Sequence, residues 1–151
     1  MLTVQIRNNT RKFKVDKKAL MNNLNSIASR IKFDCELNLD ISFVSKKTMK
    51  SVNGKFRNKN SPTNVLSFSD KIANDQSKQI GEVLICPAIA DEEALRDKND
   101  FNDYVGFLLI HGILHIIGYD HKTEPEQEQM EKFEEAIFNS IEMKQFIRKG
   151  N

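Results

Sequence analysis

The sequence predicts one α+β domain of α/β-like character over residues 1–151, with a small mixed four-stranded sheet packed by helices. Three observations point there. Apolar residues alternate with polar ones in two segments, as half-buried strands require. They recur at three- and four-residue spacing in several others, as helices require, and the two kinds of segment are interleaved along the chain. A chain of 151 residues buries one core without disulfides or a partner.

Taken in order, Leu2, Val4 and Ile6 alternate with polar residues and form the first expected strand. Asp16 caps a helix in which Leu20, Leu24, Ile27 and Ile31 share a face. Leu37, Leu39, Ile41 and Phe43 alternate with Asn38, Asp40 and Ser42, the clearest strand in the sequence. A short helix from Lys46 to about Phe56 follows, then a polar loop from Arg57 to Thr63. Val65 to Phe68 and Gly81 to Cys86 give two more strands, with the polar stretch Asp70 to Gln79 expected as a loop between them. Pro87 starts a new element. Helices are expected from Ile89 to about Arg96 and, after a cap at Asn99 or Asp100, from Phe101 to Ile117, ending at Gly118. Thr123 and Glu126 have capping-box spacing for a last helix with Met130, Phe133, Ile137 and Ile141 on one face. Phe101, Tyr104 and Phe107 read as helix-face core, and Tyr119 as a packing residue. There is no repeat, linker or low-complexity segment.

The start of the chain lacks the basic and apolar regions of a secretory signal, and its most apolar stretch, Val105 to Ile117, is too short to span a bilayer. A soluble, cytoplasmic protein with no membrane partner is expected. Cys35 and Cys86 lack CxxC spacing, which suits free thiols in a reducing compartment. The net charge of +2 is unevenly spread: residues 1–60 hold 14 Lys+Arg against 4 Asp+Glu, and residues 61–151 hold 9 against 17. A basic half can face a polyanion or simply form solvated helix faces, and charge alone does not choose.

The chemistry lies in His111-Gly112-Ile113-Leu114-His115-Ile116-Ile117-Gly118-Tyr119-Asp120-His121. Residues four apart share a helix face, so His111 and His115 reach one point, and Gly118 can turn the chain back to present His121. Every histidine of the chain falls in this segment. Three nitrogens with a fourth position left for water form a catalytic rather than a structural site, most often for zinc; other divalent transition metals also suit them. The spacing is that of the metzincin HExxHxxGxxH motif, except that Gly112 stands where those proteases carry the glutamate base. A protease of that kind is disfavoured.

The same segment resembles the signature HGxLHLxGYDH of the YbeY family, with Ile116 in place of Leu. A second stretch resembles the family's N-x-x-[FY]-R and T-D-V-L-S-F pattern in Asn53, Phe56, Arg57, Thr63, Val65, Leu66, Ser67 and Phe68. Two positions depart: Asn64 and Glu82 stand where the family usually has Asp. Asn64 can hydrogen-bond but cannot act as a base. The resemblance covers nearly the whole chain and implies a zincin-like metal helix. It also implies a single-strand-specific, zinc-dependent endoribonuclease acting in small-subunit ribosomal RNA 3′ end maturation and ribosome quality control. It makes His111, His115 and His121 the ligands of one zinc ion and Arg57 the catalytic arginine. The implied partners are ribosomal RNA and ribosomal particles, with assembly proteins as further company and no DNA.

From the residues alone Arg57 reads equally as a solvated loop arginine; the resemblance favours the functional role, which suits a guanidinium fork that can hold phosphate oxygens and stabilise charge developing on them. Lys46, Lys47, Lys50, Lys55 and Lys59 would then track backbone charge. Asp120 either orients a ligand imidazole or stabilises the turn. Two other functions stay open: a ribosome-assembly or RNA-binding factor whose metal only stabilises the fold, and a metal-dependent peptidase or amidohydrolase, which Gly112 argues against.

Overall fold

The computed structural model describes residues 2–72, 75–119 and 122–150. Its elements are β1 (Leu2–Asn8), β2 (Phe13–Val15), α1 (Lys17–Ala28), β3 (Glu36–Phe43), α2 (Lys46–Arg57), β4 (Val65–Ile72), β5 (Asp75–Ile85), α3 (Pro87–Arg96), α4 (Phe101–Ile116), α5 (Glu124–Ser140) and β6 (Ile147–Lys149). The main sheet has the order β1-β3-β5-β4, with β1, β3 and β5 parallel and β4 antiparallel to β5 at the edge. This is the expected mixed four-stranded sheet packed by helices.

The caps read from sequence are formed. The side chains of Asp16, Asp100 and Thr123 accept from the backbone N–H of Ala19, Asp103 and Glu126, each satisfying a donor that the first helical turn leaves over. Leu37, Leu39, Ile41 and Phe43 on one face of β3 are fully buried, and they pack with Leu20, Leu24 and Ile27 of α1 and with the apolar sides of α4. Burying one such side chain stabilises the fold by about 1.5–3 kcal/mol. Ile31 lies beyond the end of α1 yet still joins this core.

The opposite face of the sheet is covered at one end only. There Leu66 and Leu84 meet Met49 of α2, with Val44 and Cys86, in a smaller cluster. Ile80 and Glu82, farther along β5, stay exposed.

Two expectations need correction. The stretch Asp70 to Gln79 is not a loop: β4 runs on to Ile72 and β5 starts at Asp75, extending the hairpin as a ribbon. Ser69, Asp70, Gln76, Ser77 and Lys78 are exposed there, so backbone pairing holds strands that no apolar pattern marks. A second, two-stranded sheet was also not expected. β2 pairs antiparallel with β6, joining segments from near the two ends of the sequence. Asn102 holds this junction from α4, its Oδ1 accepting from the N–H of Phe146 and Ile147 at 2.8 and 2.9 Å. Among the described residues no helix is long and apolar enough to cross a membrane.

Candidate active site

α4 is apolar on nearly every side, the pattern of a helix enclosed by the fold. The stripe Tyr104, Phe107, His111 and His115 is only half-buried, and it follows the 3-4-4 spacing of one helix face. α5 lies along that stripe in the opposite direction. The Phe107 and Phe138 rings meet at 5.7 Å, and one turn on, Nδ1 of His111 lies 2.5 Å from Oε1 of Glu134. The His111 and His115 rings are neighbours, their centroids 5.5 Å apart and their planes at 72°. Helical pitch thus brings the first two predicted ligands together.

Glu134 is the residue beside the histidine pair that sequence reasoning missed. Its side chain is 5% exposed and that of His111 is 31% exposed, so the carboxylate backs the ring from inside while part of the imidazole remains open. His111, Glu134, Gln127, Met130 and Glu131 line a cavity of about 210 Å³. A signal was present in the sequence: Glu134 falls between Met130 and Ile137 on the apolar face of its helix, where a carboxylate needs a partner.

α4 closes as the glycine predicts. Gly118 has φ +114°, its N–H donates to the His115 carbonyl, and the N–H of Tyr119 donates to that of Leu114. This is the double closure of a Schellman turn. Tyr119 packs its ring against Phe133 at 5.2 Å. His121, the third predicted ligand, and Asp120 lie outside the described residues. Among the described residues no three potential ligands form a metal-holding cluster.

Gly112 has a packing reason. A Cβ there would meet Val83 at 3.2 and 3.3 Å and Val65 at 3.8 Å, so this side of α4 faces β4 and β5, and the missing side chain lets helix and sheet approach closely. A side chain there would require Val83 to give way.

Arg57 ends α2 and reaches to β4, donating from Nη2 to the Ser67 carbonyl at 3.1 Å, with its Cζ 5.1 Å from the Phe68 ring centroid. Ser67 is two residues past Val65, which faces Gly112 beside the first histidine. Asn53 sets this placement. Buried, it donates through Nδ2 to the Ser61 carbonyl, and its own carbonyl accepts from the N–H of Lys59 and Asn58, the latter left-handed at φ 55°. The carried-over segment is therefore a built turn that delivers Arg57 to the edge strand.

Asn64 donates through Nδ2 to Glu93 Oε1 at 2.9 Å, and Tyr104 donates its hydroxyl to the same oxygen at 3.0 Å. A carboxylate only accepts, so an amide suits position 64 here and an aspartate would not. Burial, and next the bond to Glu93, raises the Tyr104 phenol above its ordinary range. Glu82 lies opposite Phe68 across β4 and β5, on the exposed outer face.

The sequence profile described as Endoribonuclease YbeY matches residues 5–142. The chain belongs to the YbeY family. An "Endoribonuclease YbeY" of Francisella tularensis subsp. novicida is 40% identical over 107 residues, covering 66% of this chain and 63% of that one. Another, of Bartonella bacilliformis, is 36% identical over 109 residues, 70% of this chain and 69% of its own. The chain thus matches a little under two thirds of the length of its Francisella relatives. The solution structure of TM1509 from Thermotoga maritima superposes with a TM-score of 0.56 at 27% identity, covering 91% of each chain, and shares this YbeY fold.

Proposed function

We propose that the protein is a zinc-dependent endoribonuclease that cuts single-stranded RNA in the cytoplasm. It acts on ribosomal RNA and ribosomal particles, in maturation of the small-subunit RNA 3′ end and in ribosome quality control. The observation that carries this is the carboxylate-backed histidine face: His111 and His115 one turn apart on α4, with Glu134 fixed to His111 Nδ1, in a member of the YbeY family.

The donor set suits the metal. Glu134 engages Nδ1 of His111, which would direct Nε2 toward a metal, the arrangement by which carboxylates commonly fix the tautomer of metal-bound histidines. His115 and, by the family signature, His121 would complete one zinc site; other divalent transition metals suit the same nitrogens. When bound, the metal supplies Lewis acidity toward a phosphoryl oxygen and lowers the pKa of a water.

The chain's own residues do the rest. Glu134 holds the His111 ring against rotation. Arg57, held by the Ser67 carbonyl through one of its five donors, keeps others for a phosphate and for the negative charge that grows on it as the bond breaks. Residue 112, a glycine against the sheet, takes no proton.

The test is cleavage of precursor small-subunit ribosomal RNA by the wild type beside His115→Ala and Arg57→Ala, purified identically to control for contaminating nuclease. The expected result is cutting by the wild type alone, with Arg57→Ala still folded. If all three cut alike, or none does with ribosomal particles present, the reading fails and the protein is an assembly factor.

A further inference from the structure

We infer that the exposed end of α2 is a stacking platform for an unpaired RNA base, floored by Phe56 and Phe68, with Lys55 and Arg57 holding the flanking phosphates. This rests on the endoribonuclease reading and adds how the same substrate is gripped.

Phe56 is 60% exposed at the end of a helix otherwise coated with polar groups. One exposed phenylalanine means little, but this one is paired. Its ring meets that of half-buried Phe68 across the α2–β4 gap, centroids 5.5 Å apart at 63°. Each ring also has a cation beside it. Lys55 Nζ lies 5.5 Å from the centroid of Phe56, and Arg57 Cζ lies 5.1 Å from that of Phe68. Aromatic surface alternating with cations is how proteins hold single strands: bases stack on rings while the backbone runs past positive charge.

The surroundings favour RNA over a protein surface. Between Asp40 and Asp70 the chain carries Lys46, Lys47, Lys50, Lys55, Arg57 and Lys59 and no acidic residue. Lys46 is paired with Glu92; the other five are exposed. So large a charge of one sign around so small an apolar patch fits a phosphate polymer. Two carboxylates border Phe68 on the same sheet face, Glu82 as its cross-strand partner and Asp70 two residues along β4. They repel phosphate there, so the backbone must pass on the α2 side. The platform is also anchored, by Asn53 to the Ser61 carbonyl and by Arg57 to the Ser67 carbonyl, so little order has to be created on binding.

The test is fluorescence anisotropy with a short single-stranded RNA made uncleavable by 2′-O-methyl groups, and with its abasic counterpart. The proteins are wild type, Phe56→Ala, Phe56→Tyr and Lys55→Ala, with cleavage by the wild type measured in parallel. Phe56→Ala is expected to melt like the wild type and to bind the RNA about tenfold more weakly at every salt concentration. The deficit should vanish on the abasic strand, and Phe56→Tyr should retain tight binding. Lys55→Ala is expected to flatten the salt dependence by about one phosphate contact. If the wild type binds and cuts while Phe56→Ala binds equally well, the platform is overturned and the nuclease reading stands. If Phe56→Ala binds RNA normally but no longer sediments with ribosomal particles, the patch is a protein-docking surface and the platform is again overturned. If the wild type neither binds nor cuts, both fail together.

Discussion

α4 buries ten of its sixteen residues, whereas α2 buries only Met49 and Asn53 of its twelve. Both carry side chains of the proposed RNA-cleaving site, and the contrast separates two tasks. On α4, core packing on one side and α5 on the other hold the helix, so its two histidines have little freedom to shift. On α2, a small cluster and a few polar bonds hold the helix, and its outer surface is left to whatever it meets. Changes on α4 should therefore cost stability or metal, and changes at the end of α2 should cost only substrate.

The sharpest break would come from Gly112→Glu, which restores the protease-like motif. A carboxylate pressed against Val83 and Val65 is expected to lose about 3–5 kcal/mol in denaturant unfolding, with no gain of peptidase activity. A variant as stable as the wild type would mean that this side of α4 is not closely packed.

On α5, which lies against the opposite side of α4, Glu134→Ala is expected to weaken zinc binding by about 10–100-fold in a chelator competition. Glu134→Gln, which keeps an acceptor for His111 Nδ1, should recover part of that loss. Equal affinity in all three proteins would leave Glu134 as a core residue only.

Asn64 sits where α3 and α4 meet the edge strand. Asn64→Asp is expected to cost about 1–2 kcal/mol at neutral pH by facing Glu93 with a second carboxylate and removing a donor. The crowded pair takes up a proton more readily folded than unfolded. The penalty should therefore shrink as pH falls through the carboxylate range, read as converging midpoints. The smallest effect is on α2: Arg57→Ala should change stability by about 0.5 kcal/mol or less while abolishing cleavage. A large loss of stability there would erase the contrast between the helices.

The sequence made most of the fold legible because its signals are local. Asp16, Asp100, Thr123 and Gly118 mark helix ends through their own backbone bonds, and each acts where its spacing predicts. The ribbon of β4 and β5 was missed because its residues Ser69, Asp70, Gln76, Ser77 and Lys78 all meet solvent, so no apolar alternation is written there. β2 and β6 were missed because three-residue strands from distant parts of the chain carry no pattern of their own. In the site, helical pitch made His111 and His115 legible as a pair, and the family motif alone singles out Arg57 as a candidate. Glu134 required knowing which helix lies against α4, and the role of Gly112 required knowing which face of α4 meets the sheet.

The β2–β6 pair has a consequence for how the molecule is made. Phe13 and its neighbours have no strand partner until residues 147–149 exist, and Asn23 likewise waits for Lys144, whose N–H and carbonyl it binds. During synthesis the parallel core of β1 and β3 can form early, but the segment around β2 must remain open until the last part of this sequence has emerged. The fold is latched at a seam between residues 13–15 and 147–149, so a chain stalled before that point would carry a complete α4 in a body not yet closed.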